Sequence, residues 1–111
     1  LIDACHHVLR PGGVLILETP NPENLDVATL YFYMDPTHRN PLPPEMLRWV
    51  VHALGYPDAR IARLTEEREL SAPALLSDNL PGSSSINALI ARMHVAPDYA
   101  IIAQRGEAAH E

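Results

Sequence analysis

The spacing of apolar residues along the chain changes several times, and each change predicts an element. Ile2, Cys5 and Leu9 fall near one helical face, so Leu1 to Leu9 reads as the last turns of a helix. Arg10-Pro-Gly-Gly13 stops it, with Pro11 and Gly12 suited to a type II turn. Val14-Leu-Ile-Leu17 is a continuous apolar run, too short for a buried helix. It predicts a strand covered on both faces, as parallel sheets are. Leu25 to Met34 predicts a short helix. Pro44 suits a first helical turn, and Met46, Leu47, Val50, Val51 and Leu54 then repeat at helical spacing as far as Gly55. Ala59 to Leu64 predicts a second strand. Thr65 to Ser85 reads as a long excursion with one helical turn around Ala74 to Ser77. Ser85 is placed to cap a helix in which Ile86, Leu89, Ile90 and Met93 share a face. Asp98 to Gln104 predicts a third strand. Helices alternating with strands predict an α/β layer fold, and the order leaves the pairing direction of the last two strands open.

Composition narrows the function classes. The 111 residues suffice for one small domain, which the pattern places at 1–105 with a polar tail at 106–111. The net charge of −6 excludes a basic nucleic-acid footprint; all eight basic residues are arginines, and they are scattered. No apolar run approaches the roughly 18 residues that cross a bilayer. The single cysteine, Cys5, cannot close an internal disulfide and points to a reducing, cytoplasmic setting, where it reads as an inert buried thiol. Of six histidines only His6 and His7 are close in sequence, and helical neighbours diverge, so no metal site is expected. His52, His94 and His110 read as surface or packing residues, and Trp49 as packing. The chain opens at Leu1, already within a helix, which suggests a piece of something longer.

In open α/β sheets, ligands gather beyond the carboxyl ends of strands. Glu18-Thr-Pro-Asn21 stands there. Its prolines stiffen the loop and remove donors. A second loop, Asp35 to Pro43 ("DPTHRNPLP"), concentrates an acid, a histidine, an arginine and an amide and could fold over the same rim.

These segments carry a resemblance. "HHVLRPGGVLILETPNPEN", "FYMDPTHRNPLPPEMLRWV" and "DYAIIAQR" resemble the C-terminal half of a class I methyltransferase that uses S-adenosylmethionine. Within that family the segments most resemble the subgroup linked to bacterial surface polysaccharide, which includes O-antigen chain-terminating methyltransferases. The resemblance implies a Rossmann-like α/β sheet reduced to strands five, six and seven with flanking helices, the seventh antiparallel between the other two. It implies a saccharide or sugar-phosphate acceptor. It also implies that S-adenosylmethionine is held by a glycine-rich loop and an acidic residue in a half that is missing here. An incomplete domain of this kind is expected neither to bind the cofactor tightly nor to turn over alone. Its open sheet edge should favour self-association.

Among candidate site residues, His38 is placed to act as general base toward an acceptor hydroxyl, imidazole being the side chain that changes charge near neutral pH. Its alternative role is to bond a loop carbonyl and fix the turn. Arg39 could grip an anionic acceptor with its planar fork, or pair with Asp35 or Glu45. Glu18 and Asn21 stand where a strand end presents groups to substrate; Glu18 could instead hold a backbone amide. Asn40 and Asp35 read as turn or cap residues. Tyr33, with Tyr31, could line an acceptor pocket, whereas Phe32 reads as core. The competing reading of the chain is a non-catalytic remnant or interaction module of α/β fold. A hydrolase piece is disfavoured because no G-x-S-x-G elbow is present.

Overall fold

A computed structural model describes residues 1–64 and 74–106. The expected excursion therefore lies partly outside the described residues, at 65–73, as do nearly all of the expected tail, 107–111, and His110. The elements are α1 (Ile2–Val8), β1 (Val14–Pro20), α2 (Leu25–Thr29), a 3₁₀ turn (Tyr31–Met34), α3 (Pro44–Ala53), β2 (Arg60–Leu64), α4 (Ser83–Met93) and β3 (Asp98–Gln104).

The three strands form one sheet in the order β1-β3-β2, with β3 antiparallel to both neighbours. The last strand thus inserts between the first two, as the resemblance implied. The register pairs Leu15 with Ala103, Leu17 with Ile101 and Thr19 with Tyr99, while Ile61 faces Ile101 from the other side. Strand residues alternate between faces, so these side chains share one face. There they meet Leu47 and Val51 of α3, and Ile2 and Cys5 of α1 pack against the same cluster. Ile101, Val51 and Tyr99 are wholly buried, each apolar side chain contributing about 1.5–3 kcal/mol relative to exposure.

Burial on both faces of β1 is not observed. Leu15 is 7% exposed, but Val14 and Ile16 are 55% and 64% exposed. The reason is geometric: α1 and α3 both cover the Leu15 face, and β1 pairs on one side alone among the described residues. β1 is also longer than the apolar quartet, since Glu18, Thr19 and Pro20 continue the ladder against Ala100, Tyr99 and Asp98. α4 begins two residues before Ser85, capped by Gly82 in a left-handed conformation with no side-chain bond. Trp49 does not pack; it lies on the outer side of α3 and is 67% exposed.

Two glycines are required by geometry. Gly12, with φ of +82°, turns the chain from α1 into β1, and its N–H donates to the Arg105 carbonyl at 3.0 Å. The Arg10–Gly13 turn thereby clasps the end of β3, helped by a bond from the Arg105 guanidinium to the Leu9 carbonyl. Gly55, with φ of +106°, ends α3, and a Cβ there would sit 2.4 Å from His6 Nε2. His6 occupies that space because it packs edge-on against buried Tyr56 at 5.4 Å.

Candidate functional site

The end of β1 is held by two buried asparagines. Asn21 is fully enclosed: its Nδ2 donates to the Ala96 carbonyl at 2.8 Å and to Glu23 Oε1 at 3.1 Å, and its Oδ1 accepts from the Glu23 N–H at 3.0 Å. Asn24 caps α2 by accepting from the Val27 N–H, and its Nδ2 donates to the Val95 carbonyl at 2.7 Å. Both side chains thus tie the loop after β1 to the segment that leads into β3. Glu23 adds a forked pair with Arg63 of β2, at 3.0 and 3.1 Å.

The Arg63 guanidinium, followed by the Asn21 amide, holds the Glu23 carboxyl below its ordinary 4.5, against the effect of its own burial. A carboxyl lowered in the folded state stabilises fully above pH 4.5, and the contribution disappears as pH falls through the lower folded-state value. Both partners are more than a third exposed, so solvent screening limits the contribution to about 0.5 kcal/mol. Urea unfolding from pH 6 to pH 3 should show this acid-side loss, and Arg63→Gln should remove it.

The second loop is fixed by its own chemistry. The Asp35 carboxylate accepts from the Thr37 hydroxyl at 2.7 Å and the Thr37 N–H at 2.9 Å, and the first of these is the main reason its carboxyl is lowered. His38 stacks on buried Phe32 with ring centroids 4.7 Å apart, and its Nδ1 lies 2.8 Å from the Phe32 carbonyl oxygen. A carbonyl only accepts, so Nδ1 carries the hydrogen, which leaves Nε2 as the nitrogen that can exchange a proton. Asp35 Oδ2 is 3.6 Å from that Nε2. Further along, the wholly buried Tyr99 hydroxyl donates to the Leu42 carbonyl at 2.5 Å. Burial pushes that phenol up to about 12, so it stays a neutral donor and pins the loop to the middle of the sheet.

Glu18, Thr19, Pro20, His38 and Asp98 line one hollow of about 300 Å³. The two loops therefore converge at the mouth of β1. A larger, mainly apolar hollow of about 490 Å³ lies on the α1–α3 side of the same strand end, lined in part by Leu17, Glu18, Leu42 and Leu47. Of the expected site residues, Glu18 and His38 come together. Glu18 makes no hydrogen bond to a backbone amide among the described residues. Asn21 lines neither hollow. Tyr33 is exposed, one ring away from His38 through Phe32 at 5.2 Å. Arg39 is exposed on the adjoining loop, with no ion pair to Asp35 or Glu45 among the described residues. Asp98, set opposite Pro20 by the register, was not legible as a site residue, because only strand pairing brings it there.

A solved structure superposes on this arrangement with a TM-score of 0.76 and 30% sequence identity, over 95% of this chain. It is a SAM dependent methyltransferase from Archaeoglobus fulgidus. This chain is similar to 50% of that protein, about half its length. No family model matches the chain, and no curated protein does.

Among the described residues no glycine-rich turn runs directly from a strand into a helix. A glycine-rich nucleoside-binding turn follows a strand and opens a helix. The glycines with positive φ are elsewhere: Gly12 before β1, Gly55 after α3, and Gly82 after the 74–80 segment. No helix among the described residues is long and apolar enough to cross a membrane.

Proposed function

We propose that this chain is the acceptor-side, C-terminal half of an S-adenosylmethionine-dependent methyltransferase, related to the polysaccharide-modifying, O-antigen type and acting on a saccharide or sugar phosphate. β1, β2 and β3 are then strands five, six and seven of a larger Rossmann-like sheet. The observation that carries this reading is the convergence of Glu18 and His38 on one hollow at the carboxyl end of β1. The similarity to the Archaeoglobus protein supports the class of reaction. A cytoplasmic location suits the free Cys5.

In this reading His38 Nε2 takes the proton of an acceptor hydroxyl, and Asp35 Oδ2 stands beside the imidazolium that forms. Glu18 orients the acceptor, Tyr33 and Arg39 contribute to the rim, and Asn21 positions the strand end from behind. The protein's task at this site is alignment together with proton removal. Holding the methyl donor falls to residues outside this half.

Calorimetric titration of S-adenosylmethionine tests the assignment. Binding is expected only when the chain is joined to a glycine-rich strand-turn-helix half of the kind the reading requires. Tight binding to the chain by itself overturns it.

The exposed Val14 and Ile16, on a strand that pairs on one side alone among the described residues, favour a second reading, in which β1 recruits another chain. Self-association through this edge should appear as a dimer or larger species in sedimentation at micromolar concentration. A clean monomer argues against it.

A further inference from the structure

We propose that Phe32 is a positioning residue of this site, setting the His38 ring in the orientation in which Nε2 can take a proton. This rests on the reading of His38 as the base and adds the residue through which that base is aimed. Phe32 reads from the sequence as core. It is 4% exposed, yet it lies outside the cluster beneath the sheet to which Leu47, Val51 and Ile101 belong. It packs on His38 instead: the two rings stack with centroids 4.7 Å apart and planes 23° from parallel. The Phe32 carbonyl oxygen also lies 2.8 Å from His38 Nδ1 and accepts its hydrogen. One residue thus holds the imidazole twice. The ring fixes its plane, and the carbonyl fixes which nitrogen carries the hydrogen. The other bonds of the loop act on the backbone. The Asp35 carboxylate accepts from Thr37, and the Asp35 carbonyl accepts from the His38 N–H at 3.1 Å. Asp35 Oδ2 is 3.6 Å from Nε2, too far for a hydrogen bond that would steer the ring. The His38 side chain is 31% exposed, so it has room to turn once the stack is removed. A reacting group displaced by about 1 Å costs on the order of 10²-fold in rate.

The intact enzyme is assayed with S-adenosylmethionine and a methyl glycoside, and the ring-nitrogen resonances of His38 are followed separately. Phe32→Leu keeps the carbonyl and an apolar side chain but removes the stack. It should lower kcat by about 10- to 100-fold with KM nearly unchanged. The hydrogen of the neutral ring should then be shared between both nitrogens, where the wild type holds it on Nδ1. Phe32→Tyr keeps the aromatic face and should restore both readouts. Val27→Ala opens a cavity on α2, the helix leading into the 3₁₀ turn, and should lower stability while leaving kcat and the His38 ring as in the wild type. Wild-type kcat in Phe32→Leu, or an equal loss of kcat in Val27→Ala, overturns the proposal. Hydrogen on Nε2 of the neutral wild-type ring overturns it too, whether or not the variants fold. If His38→Asn abolishes transfer while Phe32→Leu does not, the functional reading stands and this one falls. If Phe32→Leu frees the ring while His38→Asn keeps the rate, Phe32 aims a ring that is not a base, and the functional reading falls. If the glycoside is not methylated, the acceptor class falls with that reading, and the ring resonances alone decide whether Phe32 sets the imidazole.

Discussion

His38→Asn should lower methyl transfer in the intact enzyme by about 10²–10⁴-fold, the usual contribution of a positioned general base. Asparagine is the informative substitution because its amide can donate to the Phe32 carbonyl much as Nδ1 does at 2.8 Å. The loop anchor is preserved while the lone pair at Nε2 is lost. A base role predicts a large fall in kcat, little change in KM and loss of the acid limb of the pH–rate profile. A purely structural role predicts that Asn retains the rate and that only a residue without a donor, such as His38→Leu, lowers it. Asp35→Asn should have a smaller effect. It removes a charge beside the developing imidazolium but keeps an acceptor for Thr37. Retained activity in His38→Asn would end the proposal that this histidine removes the proton.

Asn21→Ala should destabilise the fold by about 2–4 kcal/mol, among the larger effects of a single substitution. The amide satisfies three groups at once: the Ala96 carbonyl, Glu23 Oε1 and the Glu23 N–H. It is 0% exposed, so water cannot readily replace it. A buried group left unpaired costs about 1–3 kcal/mol. The loss should appear as a lower urea midpoint with an unchanged slope, since the same surface is exposed on unfolding. Asn21→Asp should also destabilise, because it keeps the acceptor for the Glu23 N–H but turns an anion toward the Ala96 carbonyl. A loss below about 0.5 kcal/mol for Asn21→Ala would mean that the loop is held by Asn24 and the Glu23–Arg63 pair alone.

These two residues show how differently sites can be read. His38 was legible because chemistry-bearing side chains crowd a short loop. The sequence offered both of its roles, base and turn-fixing group, and the structure displays the second through Phe32 while leaving the atom needed for the first. Asn21 stood at the expected strand end, yet it faces inward, toward partners at Ala96 and Pro97 that are distant in sequence. Asn24, its companion, carried only the signature of a helix cap.

The elements and their order follow from local pattern. Apolar spacing, prolines and glycines act over a few residues, so α1, α3, β2 and β3 and the stops at Gly12 and Gly55 could be placed from local pattern. How many faces of β1 are covered, that Trp49 points outward, and that Asp98 shares a hollow with Glu18 and His38 emerge from the packing of the elements. Those outcomes depend on which strand pairs with which and where the helices lie. Such contacts join residues far apart in the chain, which no local periodicity encodes.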